Sequence, residues 1–438
     1  MNIRKISLLL PCVLLSLYAV AQTFTPASTS VGRAPARAEF MSYDVRDAAE
    51  ARVPEKAGFA IFLTGKFTKS PKGYQALADI PWQWLDREFF LHVQGVWSAF
   101  RLYINDVQVG YAEDSKTPAD FNLTAYLVEG PNKILIEPET RSGGAFLESG
   151  HTPAEAPASL GEVYLWSQPR TRIEDFSIVC ASAWIDLKIV MANGYNYDET
   201  VQVGYDMYDP TGKMVFYNRR EVKLDGGEHD TVRFNEYIPN TGKYLWTPVK
   251  PELFRVMLTV WKGGRVIEYI PLKVGFTAKE PYQANLTAVK AAASAGKIAL
   301  YNAPVDAVKA KTELTALKKQ GTTMVRVSYP QSVFFYDLCD QIGMQVIDQA
   351  NISCPSGRLD RAEGGTPSND PRQLAAYLER QRYMQARTRN RTCVVAWSPG
   401  AMSGNGYNMY RSYQLLRETD PSRPVYYDDA GGEWNRDL

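Results

Sequence analysis

The chain has 438 residues, room for about three domains at the usual ~100–200 residues each. Its 49 Lys and Arg nearly balance 48 Asp and Glu, which excludes the basic field that nucleic acid or an acidic lipid surface would need. Aromatic residues make up 12%, including 9 Trp and 26 Tyr, a supply that serves packed sheets first and sugar faces second.

Arg4 and Lys5 precede an apolar run over residues 6–20, and Ala19-Val20-Ala21 follows before Gln22. This reads as a secretory signal peptide over 1–21, too short for a membrane anchor, and predicts an exported, periplasmic or extracellular protein. Residues 22–52, rich in Ala, Pro, Ser and Thr, read as a flexible lead-in. Cleavage would leave Cys180, Cys339, Cys354 and Cys393 without a C-x-x-C spacing, and His92, His151 and His229 lie far apart in sequence. Free buried thiols, no metal site and no cofactor are expected.

From 53 to 170 the pattern is short alternating strands separated by turn signals, the mark of an antiparallel sandwich. Residues 89–93 form one strand, and 100–104 and 107–111 pair as a hairpin across Asn105-Asp106, two residues that tolerate positive φ. Further strands fall at 132–137 and 162–166. Residues 171–279 repeat the pattern as a second sandwich. Ile185, Leu187, Ile189 and Met191 point one way, as do Val201, Val203, Tyr205 and Met207, with turns at 209–212 and Gly263-Gly264. From 280 to 438 helices alternate with five short apolar strands, at 298–301, 323–327, 344–348, 394–397 and 425–427, the pattern of βα units with parallel strands. Val308, Leu314 and Leu317 mark the face of one helix, Ser332 and Gly343 bound the next, and Asp370-Pro371 opens a longer one.

The fourth of these strands runs into Trp397-Ser398-Pro399-Gly400-Ala401-Met402-Ser403-Gly404. The stretch resembles the β-galactosidase group of glycoside hydrolase family two, whose fourth barrel strand ends in Trp-Ser-x-Gly-Asn-Glu-Ser-Gly. Trp397, Ser398, Gly400, Ser403 and Gly404 match. The Asn position is Ala401, and Met402 occupies the position of the general acid/base Glu. A thioether neither gives nor takes a proton. Residues 89–124 are similar to the family's sugar-binding jelly roll, Leu245-Trp246-Thr247-Pro248 to the end of its immunoglobulin-like domain, and Arg326-Val327-Ser328-Tyr329-Pro330 to its barrel. The resemblance implies a jelly-roll β-sandwich, an immunoglobulin-like β-sandwich and a partial (β/α)8 barrel with about five of eight strands.

It also implies losses. The His of the second-strand motif is missing, and Ser353 and Pro355 stand where relatives carry a Glu and a His for magnesium. Both galactose-contacting loops are replaced, by residues 54–57 and 149–153, and His151 is a polar contact only if the new loop makes one. The nucleophilic Glu belongs to a seventh strand, and the sequence stops at Leu438.

A retaining glycosidase needs two carboxyl groups about 5–5.5 Å apart. By resemblance the sequence has neither, and Asp348, Asp428, Asp429 and Glu433 are the only candidates for a rebuilt pair. A sugar cleft demands less: Trp397 and Tyr329 are the candidates to stack on a ring, with Arg326 and Asn351 as hydrogen-bonding partners, and plain packing is the competing reading for Trp397. The sequence therefore predicts an exported β-galactosidase-like protein of carbohydrate metabolism, inactive alone, that binds carbohydrate or serves as a scaffold. The alternative is the front part of a truncated or split β-galactosidase acting on terminal β-galactosides. The expected partners are a carbohydrate ligand and a protein or second copy covering the open barrel edge, with apolar surface exposed around the fifth strand; nucleic acid and membrane are not expected.

Overall fold

The computed structural model describes residues 27–139, 141–149, 160–355, 359, 361 and 365–438. The signal-peptide stretch and His151 with its loop lie outside the described residues.

The first domain is two antiparallel sheets face to face. One orders strands Ala60–Phe62, Val163–Pro169, Arg87–Val93 and Ala119–Asn122; the other orders Thr68–Ser70, Gly73–Ile80, Gly130–Glu139, Ala99–Ile104 and Val107–Ala112. The last pair is joined across Asn105 and Asp106 at φ 50° and 67°, the left-handed geometry that a two-residue hairpin needs. Alternate residues fill the core between the sheets, including Phe89, Leu91, Leu102, Ile104, Phe121, Ile134 and Leu165. The second domain packs a three-stranded sheet, Thr171–Ala181 with Trp184–Asn193 and His229–Tyr237, on a four-stranded one that includes Glu199–Tyr208 and Phe254–Lys262. Ile185, Leu187, Ile189, Met191, Val203, Tyr205 and Met207 are all fully buried between them, on the faces that the alternation predicts.

The third domain is a parallel sheet in chain order, Ile298–Leu300, Met324–Arg326, Gln345–Gln349 and Val394–Ser398. Helices Ala307–Lys319, Val333–Ile342, Leu374–Thr388 and Tyr407–Thr419 supply Leu314, Phe335, Met384 and Leu416 to one face, against Val325, Val346, Val394 and Trp397. Asp306 caps the first helix by accepting from the Val308 and Lys309 N–H groups, and Gly343 ends the second in the left-handed conformation. Val308, expected on the buried face, is instead 76% exposed, because its place in the first turn lies outside the stripe set by Leu314. Trp246 ties the second sandwich to this layer, its indole N–H donating 2.9 Å to the Asp340 carbonyl.

Three expectations need correction. The predicted fifth strand is a single bridge between Trp397 and Val425. Pro424 precedes it, a 3-10 turn at Asp428–Ala430 follows it, and Asp437 occupies its backbone: the Asp437 carboxylate accepts from the Val425 N–H at 2.7 Å and the Asp437 N–H donates to the Val425 carbonyl at 2.9 Å. Val425 is fully buried, so apolar surface is not exposed at that residue. The opposite face of the sheet is also covered. Helix Pro281–Ser294 lays Val289 and Ala292 on Met324, Ile347 and Ala396, the face that would line the lumen of a closed barrel. Finally, Ala27–Arg52 is not a loose lead-in but an ordered strap. It bridges Val31 to Tyr111, places the Arg33 guanidinium 3.3 Å from the Tyr383 ring centroid, buries Ala38 in the second sandwich core and pairs Tyr43 with Tyr269. Its small residues are what let it pass between packed domains.

Among the described residues, Cys180, Cys339, Cys354 and Cys393 are free and buried. No helix among the described residues is long and apolar enough to cross a membrane.

Candidate functional site

In βα sheets the C-terminal strand ends carry the site, because the loops that follow them are free to vary while the strands hold position. Three of the four strand ends here are joined by side chains. Arg326, closing the second strand, donates through Nε to Gln349 Oε1 at 2.9 Å at the end of the third, and Gln349 Oε1 also accepts from the Ser398 hydroxyl at 3.4 Å at the end of the fourth. Arg326 reaches on through Nη1 to Asp428 at 2.5 Å and through Nη2 to the Gly400 carbonyl at 3.4 Å, with the Tyr426 ring 5.0 Å away. The result is a fixed cation at the mouth, facing an exposed carboxylate.

The segment after Asp428 carries Asp429 and Glu433, two of the candidates for a rebuilt pair, and Trp434, which the sequence did not single out. Trp434 is 55% exposed, and its ring tilts against Tyr410 at 5.3 Å and meets Tyr413 edge-on at 5.6 Å. Glu433 accepts 2.6 Å hydrogen bonds from Arg361 and from the Tyr410 hydroxyl, and both hold its carboxyl below the usual range, so it is anionic. Asp429 accepts from the Gly404 N–H at 2.8 Å, which fixes the loop after the fourth strand. For Trp434 the one available signal was compositional, an aromatic within a few residues of three carboxylates.

The predicted contact residues divide. Arg326 is at the mouth. Tyr329 is partly buried beside it, with the Lys116 ammonium of the first sandwich 4.7 Å from its ring centroid. Trp397 is not available for stacking: it is fully buried among the outer helices, its indole N–H donates to Asp420 at 3.1 Å, and the Arg423 guanidinium lies 5.2 Å from its ring. Odd and even residues of the strand face opposite sides, and Ser398 takes the lumen side. Asn351 is also committed elsewhere, donating 2.8 Å to Asp114 of the first sandwich while its carbonyl accepts from Arg380.

The carboxylates divide in the same way. Asp348 is fully buried on the outer face, where the Tyr336 hydroxyl at 2.8 Å and the Thr388 hydroxyl at 2.6 Å bind its two oxygens; burial pushes it up to about 6. It is a structural group away from the mouth. Met402 lies on the loop after the fourth strand, 49% exposed, with φ at 47°. A general acid needs a carboxyl with a raised pKa at the scissile bond. The exposed position carries a thioether, and Glu433 is shifted in the opposite direction. What the mouth offers is Arg326 and carboxylate acceptors, which suit hydrogen bonding more than proton transfer. Among the described residues no cluster of three His, Cys, Asp or Glu side chains has the geometry of a metal site.

Three family models match the chain: "Glycosyl hydrolases family 2, sugar binding domain" over residues 60–151, "Glycosyl hydrolases family 2" over 171–276, and "Glycosyl hydrolases family 2, TIM barrel domain" over 302–437. A β-galactosidase of Priestia megaterium is 30% identical over 370 residues, covering 79% of this chain and 35% of that protein; one of Vibrio cholerae is 30% identical over 375 residues, covering 77% and 34%. The chain thus spans about a third of the length of these relatives. Among solved structures, a Bacteroides uniformis β-glucuronidase superposes with a TM-score of 0.64 at 16% identity, covering 90% of this chain and 52% of that one. A family 2 member from Bacteroides cellulosilyticus gives 0.62 at 18%, covering 81% and 49%. At these identities the structural likeness establishes the fold.

Proposed function

The chain belongs to glycosyl hydrolase family 2 and has a carbohydrate-related role, and from that premise we propose that it is an exported, β-galactosidase-like carbohydrate-binding protein that does not hydrolyse glycosides. The observation that carries this reading is Met402, half-exposed on the loop where the family motif places its acid/base. Asp348, the buried alternative, has both oxygens bound on the far face of the sheet. Binding needs neither group. Arg326 and Asp428 supply a cation and an acceptor at one mouth, and Trp434, a few residues after Asp428 in the chain, supplies an exposed apolar ring, groups of the kinds that recognise a polyhydroxylated ring by its edges and faces.

The test is direct. The purified chain is incubated with aryl β-galactosides and β-glucuronides, and the same sugars are screened by thermal shift. No turnover above the buffer rate, with a sugar-induced shift that Arg326→Ala or Trp434→Ala removes, is the expected result. Turnover by the unmodified chain sinks the proposal.

The alternative is the front part of a split β-galactosidase, and one fact favours it: the chain spans about a third of its relatives' length. That reading requires helix Pro281–Ser294 to leave the lumen face before further strands could close on it. It also requires an acid/base that Met402 does not provide. Met402→Glu with Ala401→Asn, supplied with a C-terminal half from a relative, separates the two. Hydrolysis without those substitutions but with the added half favours the split enzyme.

A further inference from the structure

The strap, both sandwiches and the barrel domain meet around a cavity of about 380 Å³ that has no part in the strand-end mouth. A second cavity of about 280 Å³ adjoins it, and the two share Arg52, Pro271, Leu272, Lys273 and Asp337 along their common boundary. Each is near the size that accommodates a small organic ligand. The larger one is walled by side chains from every domain, among them Phe40 from the strap, Phe176 and Leu272 from the second sandwich, and Val333 and Phe334 from the barrel domain.

The charges at the shared boundary do not balance. Asp337 is the carboxylate there, and it already carries two guanidiniums, Arg52 at 3.2 Å and Arg391. Lys273 has no acceptor among the described residues; burial and the neighbouring Arg52 both pull its pKa down. Arg255, on the wall of the smaller cavity, spends its guanidinium on the Tyr208 ring, 5.3 Å away, and on no carboxylate. The other acids are elsewhere. Glu39 pairs with Arg387, Glu50 with Arg46, and Glu162 lines only the larger cavity. Arg387, on the wall of the larger cavity, has a buried Nη2 with no partner. Lys273 is half-buried and Arg255 exposed, so water reaches both, and an anion entering the cavity would meet cations that no protein carboxylate pairs among the described residues.

We propose that this junction binds a small amphipathic carboxylate, its acid group at Lys273 between Arg52 and Arg255 and its apolar body along Phe40, Phe176 and Val333. One molecule there would touch the strap, the second sandwich and the barrel domain, so its binding would stabilise their arrangement as well as itself.

The whole chain is titrated by calorimetry with 2-naphthoate and decanoate, and with the uncharged 2-naphthol and 1-decanol. The expected result is saturable one-to-one binding of at least one carboxylate. Lys273→Gln should weaken it at least tenfold, Lys273→Arg should restore most of it, and the uncharged analogue should bind both proteins alike. Preference for naphthoate assigns an aryl acid, and preference for decanoate a fatty acid. The Lys273 side chain makes no hydrogen bond among the described residues, so Lys273→Gln should fold, which far-UV circular dichroism checks. Val333→Trp, which fills the cavity, should abolish binding of either acid while leaving the strand-end mouth untouched. No saturable binding of either carboxylate at millimolar concentration overturns the proposal, as does equal affinity for the wild type and Lys273→Gln.

Discussion

Glu148 is the residue whose replacement should tell most about how the first sandwich is held on the barrel domain. Its carboxylate accepts from the Ser115 N–H at 2.9 Å, the Ser115 hydroxyl at 2.5 Å and Arg380 at 3.2 Å, and the side chains of Glu148 and Arg380 are 2% and 3% exposed. Asp114 shares the same guanidinium's field, so one cation serves two buried carboxylates. Asp114 takes the larger benefit: Arg380, the Thr117 N–H and Asn351 hold it below the usual range, although burial opposes them. Burial pushes Glu148 up to about 7, from an ordinary value of 4.5, and the charge on Asp114 adds to the shift. The sign follows from linkage. The folded protein keeps a proton on Glu148 that the unfolded chain has released, so stability falls as pH rises from about 4.5 to about 7. At about 1.4 kcal/mol per pKa unit the fall from this group is up to about 3 kcal/mol. Glu148→Gln removes the titration while keeping an oxygen that can accept from Ser115. Urea unfolding followed by Trp fluorescence, from pH 5 to 8, should show a shallower pH slope in the variant and a higher midpoint at pH 8. An unchanged slope, or a variant weakened equally at both ends of the range, refutes the reasoning.

Trp397→Ala should cost about 3–5 kcal/mol by opening a cavity under the outer helices, while Trp397→Phe should leave any glycan-induced thermal shift unchanged, which differential scanning fluorimetry checks. Ala38→Glu places a charge in the second sandwich core. It should destabilise by about 3–5 kcal/mol and open the strap to limited proteolysis within residues 27–52, whereas a loose lead-in would make it neutral. Val289→Asp sets a carboxylate against Met324, Ile347 and Ala396; a rise in fluorescence of an apolar-surface dye, with secondary structure retained, would report the uncovered sheet face.

The sandwiches were legible because their signal is local and repeats at a period of two. Leu187 and Ile189 alternate with Asp186 and Lys188, and no long-range knowledge is needed to know which pair is inside. The barrel helices were legible from punctuation, Asp306, Ser332 and Gly343, for the same reason. The strap was not. Ala34 and Ala38 look like linker residues, and only the domains on either side, brought together by distant parts of the chain, turn their small size into a close fit. Arg326 was picked from a motif and lies at the mouth, whereas Trp397, picked by the same route as a stacking candidate with packing as the competing reading, is packed. A motif gives the residue's position on the strand, while the side it faces depends on a pleat that a bulge beside Val395 shifts by one residue. Asn351 was assigned to a ligand because its partner, Asp114, is 237 residues away in sequence.

Four parallel strands have two faces to cover, and water tolerates neither. In a closed barrel one face is covered by helices and the other by the opposite strands. Here the helix side is ordinary, and the lumen side is met by a helix that arrives from before the first strand: Val289 and Ala292 lie where side chains from across a barrel would lie. The cover reaches Met324, Ile347 and Ala396 but does not include Arg326, Gln349 and Ser398, one pleat further along the same strands. That division decides what the domain can do. The apolar half of the face is sealed by the chain itself, and the polar half stays at the mouth, tied together by hydrogen bonds from three strand ends. These four strands thus keep the strand ends at which a barrel presents polar groups. A glycosidase needs two carboxyl groups held on opposite sides of a bond, and an open mouth of three strand ends has one side. The proposed recognition of a sugar at Arg326 and Asp428 needs only that side.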